Sequence, residues 1–205
     1  DVFHQTVALT NDLKEGVSTQ AEQAIKEVNF LTSNLANVNR NLISSGANSQ
    51  NALFDNRDAI LDELSNYVSF SVSLSNNGVA SVNLGDTGNG PILVENDKSY
   101  NILSSEDAGK LSFFVTQGTQ SSLTKQITNG KLGGLNDAYY SIANTIDTLD
   151  TIAHKLIRDV NAIHSEGIDL EGNVGGLFFN NINFDTSPSS SNLGFSSAEV
   201  EIIDA

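Results

Sequence analysis

Apolar and small residues recur at Val17, Ala21, Ala24, Val28, Leu31, Leu35, Val38 and Leu42, with spacings that alternate between 4 and 3. A heptad seam held for more than three repeats predicts a long helix that needs cover along its whole length. Gly46, within the polar stretch 44–51, is the expected stop. A second seam lies far downstream at Leu132, Leu135, Tyr139, Ile142, Ile146, Leu149, Ala153, Leu156, Val160 and Ile163, unbroken over ten positions. Between the two, Leu53 to Tyr67 reads as a shorter helix rich in acid, with Asp55, Asp58, Asp62 and Glu63. Matching seams predict an antiparallel helical bundle or an elongated coiled-coil rod. The expected contact sets Leu31, Leu35, Val38 and Leu42 against Leu149, Leu156, Val160 and Ile163, with Arg57 and Asp58 positioning the middle helix. On that pairing Leu156→Asp buries an unpaired charge and collapses the rod.

From Val68 to Thr128 the period falls to two. Val68, Phe70, Val72 and Leu74 alternate with four serines, the pattern of a half-buried strand. Asn76-Asn77-Gly78 supplies a hairpin turn, because Asn and Gly tolerate positive φ, and Val79 to Leu84 is the returning strand. Pro91 to Val94, Tyr100 to Leu103 and Leu111 to Val115 are further strand candidates. After Gly167 the chain is Gly-rich and turn-like to Phe179. Ser187 to Asn192 reads as a polar loop, and Ala198 to Ile203 as one more strand. The fold class is α+β, with residues 1–67 and 129–167 forming a helical rod domain in two segments. Residues 68–128 form an inserted small antiparallel β unit, and 168–205 the start of a second β domain.

Composition narrows the function. Of 205 residues 39% are hydrophobic and only 17% charged, with Asn and Ser filling the difference at 25 each. The net charge is −15, and the ten basic residues are scattered singly. A nucleic-acid groove or an anionic-membrane patch needs clustered positive charge, so neither is expected. No apolar run is long enough to cross a bilayer. Without cysteine there is no disulfide, thiolate ligand or thiol nucleophile, and without methionine the chain reads as a piece of something longer.

Candidate chemistry is sparse. His4, His154 and His164 have no second histidine at ligand spacing. His164, in the last turn of its helix, suits the dipole when protonated. The run Asp169-Leu170-Glu171-Gly172-Asn173 has oxygen side chains at alternate positions, but its glycine comes fourth where a calcium loop needs it sixth. A tight turn leaving the helix is the better reading. Gly133-Gly134 lacks any phosphate-loop pattern and is expected to serve a turn or close packing. Asp55-Asn56-Arg57-Asp58 reads as a solvated ion-pair network. No catalytic constellation, metal site or cofactor site is expected.

Four stretches carry a resemblance. Residues 35–43 (LANVNRNLI) are similar to a helix ending in A-x-L-N-x-x-I, and residues 53–65 (LFDNRDAILDELS) to L-x-D-x-R-D-x-L-x-x-x-L-S. Residues 130–135 (GKLGGL) match G-x-L-G-G-L. Residues 161–179 match N-x-x-H-x-x-G-x-D-L-x-G-x-x-G-x-x-F-F through Asn161, His164, Gly167, Asp169, Gly172, Phe178 and Phe179. In this order, with a β insert between the second and third, the chain resembles the flagellar hook-associated protein 1 (FlgK) family, which joins hook to filament. The resemblance implies a secreted, extracellular structural subunit of the bacterial flagellum that acts by subunit packing, with no enzymatic activity. The implied partners are copies of itself, hook protein and the second hook–filament junction protein. The resemblance puts the terminal helices of the axial core outside this chain, as it does the regions an export chaperone would bind, so this piece is expected to be monomeric. A cysteine-free, acidic, Asn- and Ser-rich chain suits export unfolded and exposure to the medium. The alternatives are an extracellular adhesive or binding module on a coiled-coil stalk, a flagellin-like or second junction protein and, more distantly, an extracellular hydrolase.

Overall fold

The heptad pattern of the first third does form one long helix, α1, running from Val2 to Ser44 and so beginning well upstream of the seam. The structure, a computed structural model, describes residues 2–44, 50–107, 110–117, 120–123 and 127–180. Helix α2 spans Gln50–Ser65 and helix α3 Gly130–Glu166. The expected strand Ala198 to Ile203 and loop Ser187 to Asn192 lie outside the described residues.

Seven strands separate α2 from α3. They are β1 Phe70–Leu74, β2 Ala80–Leu84, β3 Ile92–Glu95, β4 Lys98–Ser99, β5 Ile102–Asp107, β6 Lys110–Gln117 and β7 Gln120–Leu123. They make two antiparallel sheets, of order β1-β2-β3-β4 and β5-β6-β7. The Asn76-Asn77-Gly78 turn sets the first hairpin, with Leu74 opposite Ala80 and Phe70 opposite Leu84. Strand β2 alternates as its sequence requires, burying Ala80, Val82 and Leu84. Strand β1 is an edge, so Val72 and Leu74 stay exposed although the two-residue period is present. The expected strand Tyr100 to Leu103 straddles the break between the sheets. The Tyr100 amide bonds back to Leu93 of β3, whereas Ile102 begins β5.

One compact unit comprises the described residues of Asp1–Ala8 and Ala143–Ala205, the other Leu9–Ile142. In the larger unit, Val28, Leu31, Leu35, Val38 and Leu42 of α1 share a core with Ile60 and Leu64 of α2, Val82 and Leu84 of β2, Leu93 of β3, and Phe113 and Val115 of β6. Helix α3 adds Leu132 and Tyr139 at its beginning. Each fully buried leucine here contributes about 2–3 kcal/mol relative to exposure.

This corrects the expected pairing of the seams. Leu31, Leu35, Val38 and Leu42 are buried, but their core is built with α2 and the sheets. Leu149 and Val160 are half-buried in the other unit, and Leu156 and Ile163 are 57% and 75% exposed. A heptad period requires that a face be covered; a sheet laid on a helix meets that requirement as well as a second helix does. The consequence for Leu156 reverses. Leu156→Asp is expected to change stability by no more than about 0.5 kcal/mol, as exposed substitutions usually do. A drop of several kcal/mol in urea unfolding would show that this side chain is buried after all.

Candidate functional site

Helix α2 carries the run Asp55-Asn56-Arg57-Asp58, and here the structure departs from a solvated network. Arg57 is buried. Its Nη1 donates to the Gly78 carbonyl at 2.8 Å, and Nε and Nη2 both donate to Asp58 Oδ1 at 2.7 Å. Its guanidinium also lies 5.1 Å from the centroid of Phe54. Arg57 therefore ties the β1–β2 turn to α2, with the exposed Asp58 carboxylate balancing its charge. Gly78 has φ 78°, and a Cβ there would collide with the Phe54 ring, so glycine is needed on two counts. Asp55 is exposed and takes no part.

The Gly130 to Leu135 motif docks the start of α3. The Lys131 and Leu132 amides, two of the donors a helix start leaves without intrahelical partners, bond to the carbonyls of Asn66 and Tyr67 at 2.9 Å. The Lys131 ammonium sits 5.7 Å from the Tyr67 ring centroid. Gly133 abuts the Thr128 backbone, and Gly134 faces open space. No ligand role is needed to explain the glycine pair.

The Asn161 to Phe179 motif folds back as a clasp on the end of α3. The Asn161 amide pairs with both backbone groups of Phe179: Nδ2 donates to its carbonyl at 2.9 Å, and Oδ1 accepts from its N–H at 2.7 Å. His164 Nδ1 lies 2.8 Å from the Gly176 carbonyl, which can only accept, so Nδ1 carries the proton. The Gly167 amide bonds to the His164 carbonyl at 3.2 Å, and the Gly167 carbonyl accepts from Gly175 at 2.9 Å. Asp169 Oδ1 accepts from the amides of Glu171 and Asn173, and Oδ2 from the Asn173 side chain, around a turn that uses Gly172 at φ 91°. Phe178 packs against His164 at 5.6 Å and against Phe179 at 4.9 Å between ring centroids. Of the side-chain oxygens that resemble a calcium loop, both of Asp169 are thus spent on the turn itself.

These bonds, led by the Asn173 side chain, hold the Asp169 carboxyl below its ordinary value of 3.8. A lowered folded value means the contribution is complete above the ordinary range and is lost as pH falls through the folded value. The Asn173 and Gly172 amide resonances are expected to shift in that acid window, and flat profiles through it would show that Asp169 does not hold the turn.

The bidentate asparagine recurs twice on α1, at Asn29, which no motif marks, and at Asn39, which lies in the motif stretch 35–43 without a role assigned to it. Asn29 pairs with Ile102, donating at 2.9 Å and accepting at 2.7 Å. Asn39 pairs with Ala80 at 2.7 and 3.0 Å, and donates a further bond to the Asn96 carbonyl at 2.7 Å. In each case a helix side chain takes the place of a neighbouring strand's peptide group. The available signal was an amide placed directly after the seam residues Val28 and Val38.

Titratable groups do not converge on a reaction site. Lys14 pairs with Glu106 at 3.0 Å, and its ammonium lies 5.1 Å from the Tyr139 ring. The Tyr139 hydroxyl has no partner at full hydrogen-bonding distance, yet its proximity is the main cause that lowers the Glu106 carboxyl. Burial chiefly raises the Tyr139 hydroxyl. Burial likewise raises the Asp150 carboxyl, against the pull of His154. Among the described residues no three His, Cys, Asp or Glu side chains are grouped to hold a metal ion, and no helix is long and apolar enough to cross a membrane. What the motif residues do together is lock elements: α2 to a hairpin, α3 to the end of α2, and the chain after α3 to its own helix.

Comparison with known proteins places this arrangement. A family model described as the flagellar hook-associated protein FlgK helical domain matches residues 1–179. Flagellar hook-associated protein 1 of Escherichia coli (strain K12) is 25% identical over 189 residues, which cover 86% of this chain and 34% of that protein. The protein of the same name from Salmonella typhimurium (strain LT2) is 26% identical over the same shares. The solved structure of the flagellar hook junction protein FlgK from Burkholderia pseudomallei superposes with a TM-score of 0.75 at 27% identity, over 87% of this chain and 33% of that one. The chain spans about a third of the length of the relatives it matches.

Proposed function

The chain belongs to the FlgK family of flagellar hook-associated proteins, and from that premise we propose that it is the helical-domain portion of a structural subunit joining hook to filament. The observation that carries this reading is that one family model runs through both long helices, both sheets and the clasp, ending at residue 179 where the clasp ends. Its work is done by subunit packing and needs no catalytic group. The partners are copies of itself in a helical axial assembly, hook protein on one side and the second junction protein on the other. An export chaperone acts on parts of the protein outside this chain. The place of action is outside the cell, which suits a chain with no cysteine and a net charge of −15.

The locks described above fit an adaptor. A subunit held between two structures with different mechanical demands must transmit load without shearing its own elements. The side chains of Arg57, Asn39 and Asn161 each bind their helix to a backbone group elsewhere, and the Lys131 and Leu132 amides bind the start of α3 to the backbone at the end of α2. Deleting the gene for the full-length protein is expected to leave hooks that carry no filament, seen by electron microscopy. Normal filaments on the deleted strain would contradict the reading.

A further inference from the structure

A groove of about 650 Å³ in the larger unit is lined by Gln23, Ala24, Lys26, Glu27, Phe30, Tyr67 and Lys131. Its composition is unlike the rest of the chain. Phe30 is 60% exposed, and two of the chain's ten basic residues stand in the same groove. Among the described residues Lys26 and Lys131, like Lys98 and Lys155, have no carboxylate within ion-pair distance, whereas Lys14, Arg40, Arg57 and Arg158 each do. Lys131 instead leans on the Tyr67 ring. On a molecule of charge −15, an exposed aromatic ring beside two ammonium groups and only one carboxylate, that of Glu27, is a locally cationic surface suited to an anionic partner.

The same unit presents the complement. On α2, Asp55, Ala59 and Asp62 are all exposed and stand at i, i+4 and i+7, on one helix face. Asp58 is neutralised by Arg57, but Asp55 and Asp62 have no cation within ion-pair distance among the described residues. The face therefore offers two free carboxylates about 10 Å apart along the axis, at 1.5 Å per residue, with a small methyl-bearing residue between them. Two carboxylates and an alanine methyl match the two ammonium groups and Phe30 of the groove in number and sign.

We infer that this groove is an interface between copies of the chain: the Lys26–Phe30–Lys131 groove of one copy receives the Asp55–Ala59–Asp62 face of α2 from the next. The contact joins two different patches, so it is heterologous and propagates around a ring or along a helix without closing on a pair. The inference rests on the axial-subunit reading and names the surface that reading needs. It also accounts for charge left uncompensated on both patches of the free chain.

The test uses the full-length protein. Lys26→Glu with Lys131→Glu inverts the groove; Asp55→Lys with Asp62→Lys inverts the α2 face. All four side chains are exposed and only Lys131→Glu removes a contact, the one to the Tyr67 ring, so the α2 variant is expected to unfold within a degree or two of the wild type and the groove variant within a few degrees. Each is expected to cut incorporation into flagella at least tenfold, and the variant carrying all four changes to recover most of it. Wild-type incorporation by the groove variant, or no recovery in the four-change variant, overturns the inference. A second measurement is independent of location in the cell. The purified wild-type protein, as a mixture of light and heavy isotope forms, is treated with a zero-length carbodiimide crosslinker and analysed by mass spectrometry. Crosslinks from Lys26 or Lys131 to Asp55 or Asp62 that join light to heavy chains support the contact, and their absence overturns it. Failure of the axial reading itself shows separately, as wild-type protein missing from the flagellum.

Discussion

Replacing Asn39 with leucine is expected to destabilise the protein by about 3–5 kcal/mol, the largest loss of any single polar side chain on α1. Asn39 is fully buried. Its amide satisfies the N–H and carbonyl of Ala80 at the start of β2 and the carbonyl of Asn96 in the β3–β4 turn. Leucine has nearly the same volume, so the substitution opens no cavity of consequence and the cost is almost wholly that of backbone groups left without partners. Each such group, away from water, costs about 1–3 kcal/mol. Asn29→Leu removes the equivalent pairing with Ile102, but that site is only half-buried. Water can replace part of the loss there, so its effect should be about half as large. Urea unfolding followed by far-ultraviolet circular dichroism gives both values. A loss under about 1 kcal/mol for Asn39→Leu would show that the sheet finds other partners and that the amide is not its anchor.

Gly130→Ala is expected to cost about 3 kcal/mol or more. Gly130 has φ 73°, a conformation that strains any residue with a Cβ by about 1–2 kcal/mol. The added carbon would also lie 2.6 Å from both the carbonyl carbon and oxygen of Tyr67, and 2.8 Å from the Val68 nitrogen. These are backbone atoms at the link between α2 and β1 and cannot turn aside as a flexible side chain would. Relief requires α3 to move off the α2 terminus, which breaks the bonds from Lys131 and Leu132 to Asn66 and Tyr67. Gly134→Ala is the internal control. Its Cβ meets nothing within 4 Å, and it lies inside a helix where alanine is preferred, so it should be neutral or slightly stabilising. Equal effects from the two substitutions would contradict the docking role given to Gly130.

The helices were legible because a heptad period is a strong local signal, and both seams are found on helices. What the period does not encode is the identity of the covering element. Leu35 and Leu156 occupy the same kind of seam position, yet one is fully buried in a core shared with the sheets and the other stands 57% exposed. The β region was read correctly where turn residues punctuate it, at Asn76 to Gly78. It was misread at Tyr100 and Asn101, where the chain passes between sheets with no glycine or proline to mark the change. Strand β7 was missed because Gln120–Leu123 contains one apolar residue and no alternation.

The motif residues were legible as a resemblance and not as chemistry. Nothing in the spacing from Asn161 to Phe179 says that an amide at the first position closes on the peptide group of the last. Asp55 and Arg57 stand two residues apart, and only the fold distinguishes them: one is solvated, and the other is buried with its charge directed at a hairpin turn. Arginine in a run of acids reads as a surface pair by default, because pairing between exposed charges is the commoner outcome. Burial of that guanidinium depends on Gly78 arriving from 21 residues away, which no local pattern records.

If this chain is part of the joint between hook and filament, as proposed, it occupies one short zone on each flagellum. Electron microscopy of intact flagella labelled with antibody raised against residues 1–180 tests it most directly. A single band of label where hook meets filament on each flagellum is the expected result. Label along the whole filament, or on the cell body alone, would contradict it.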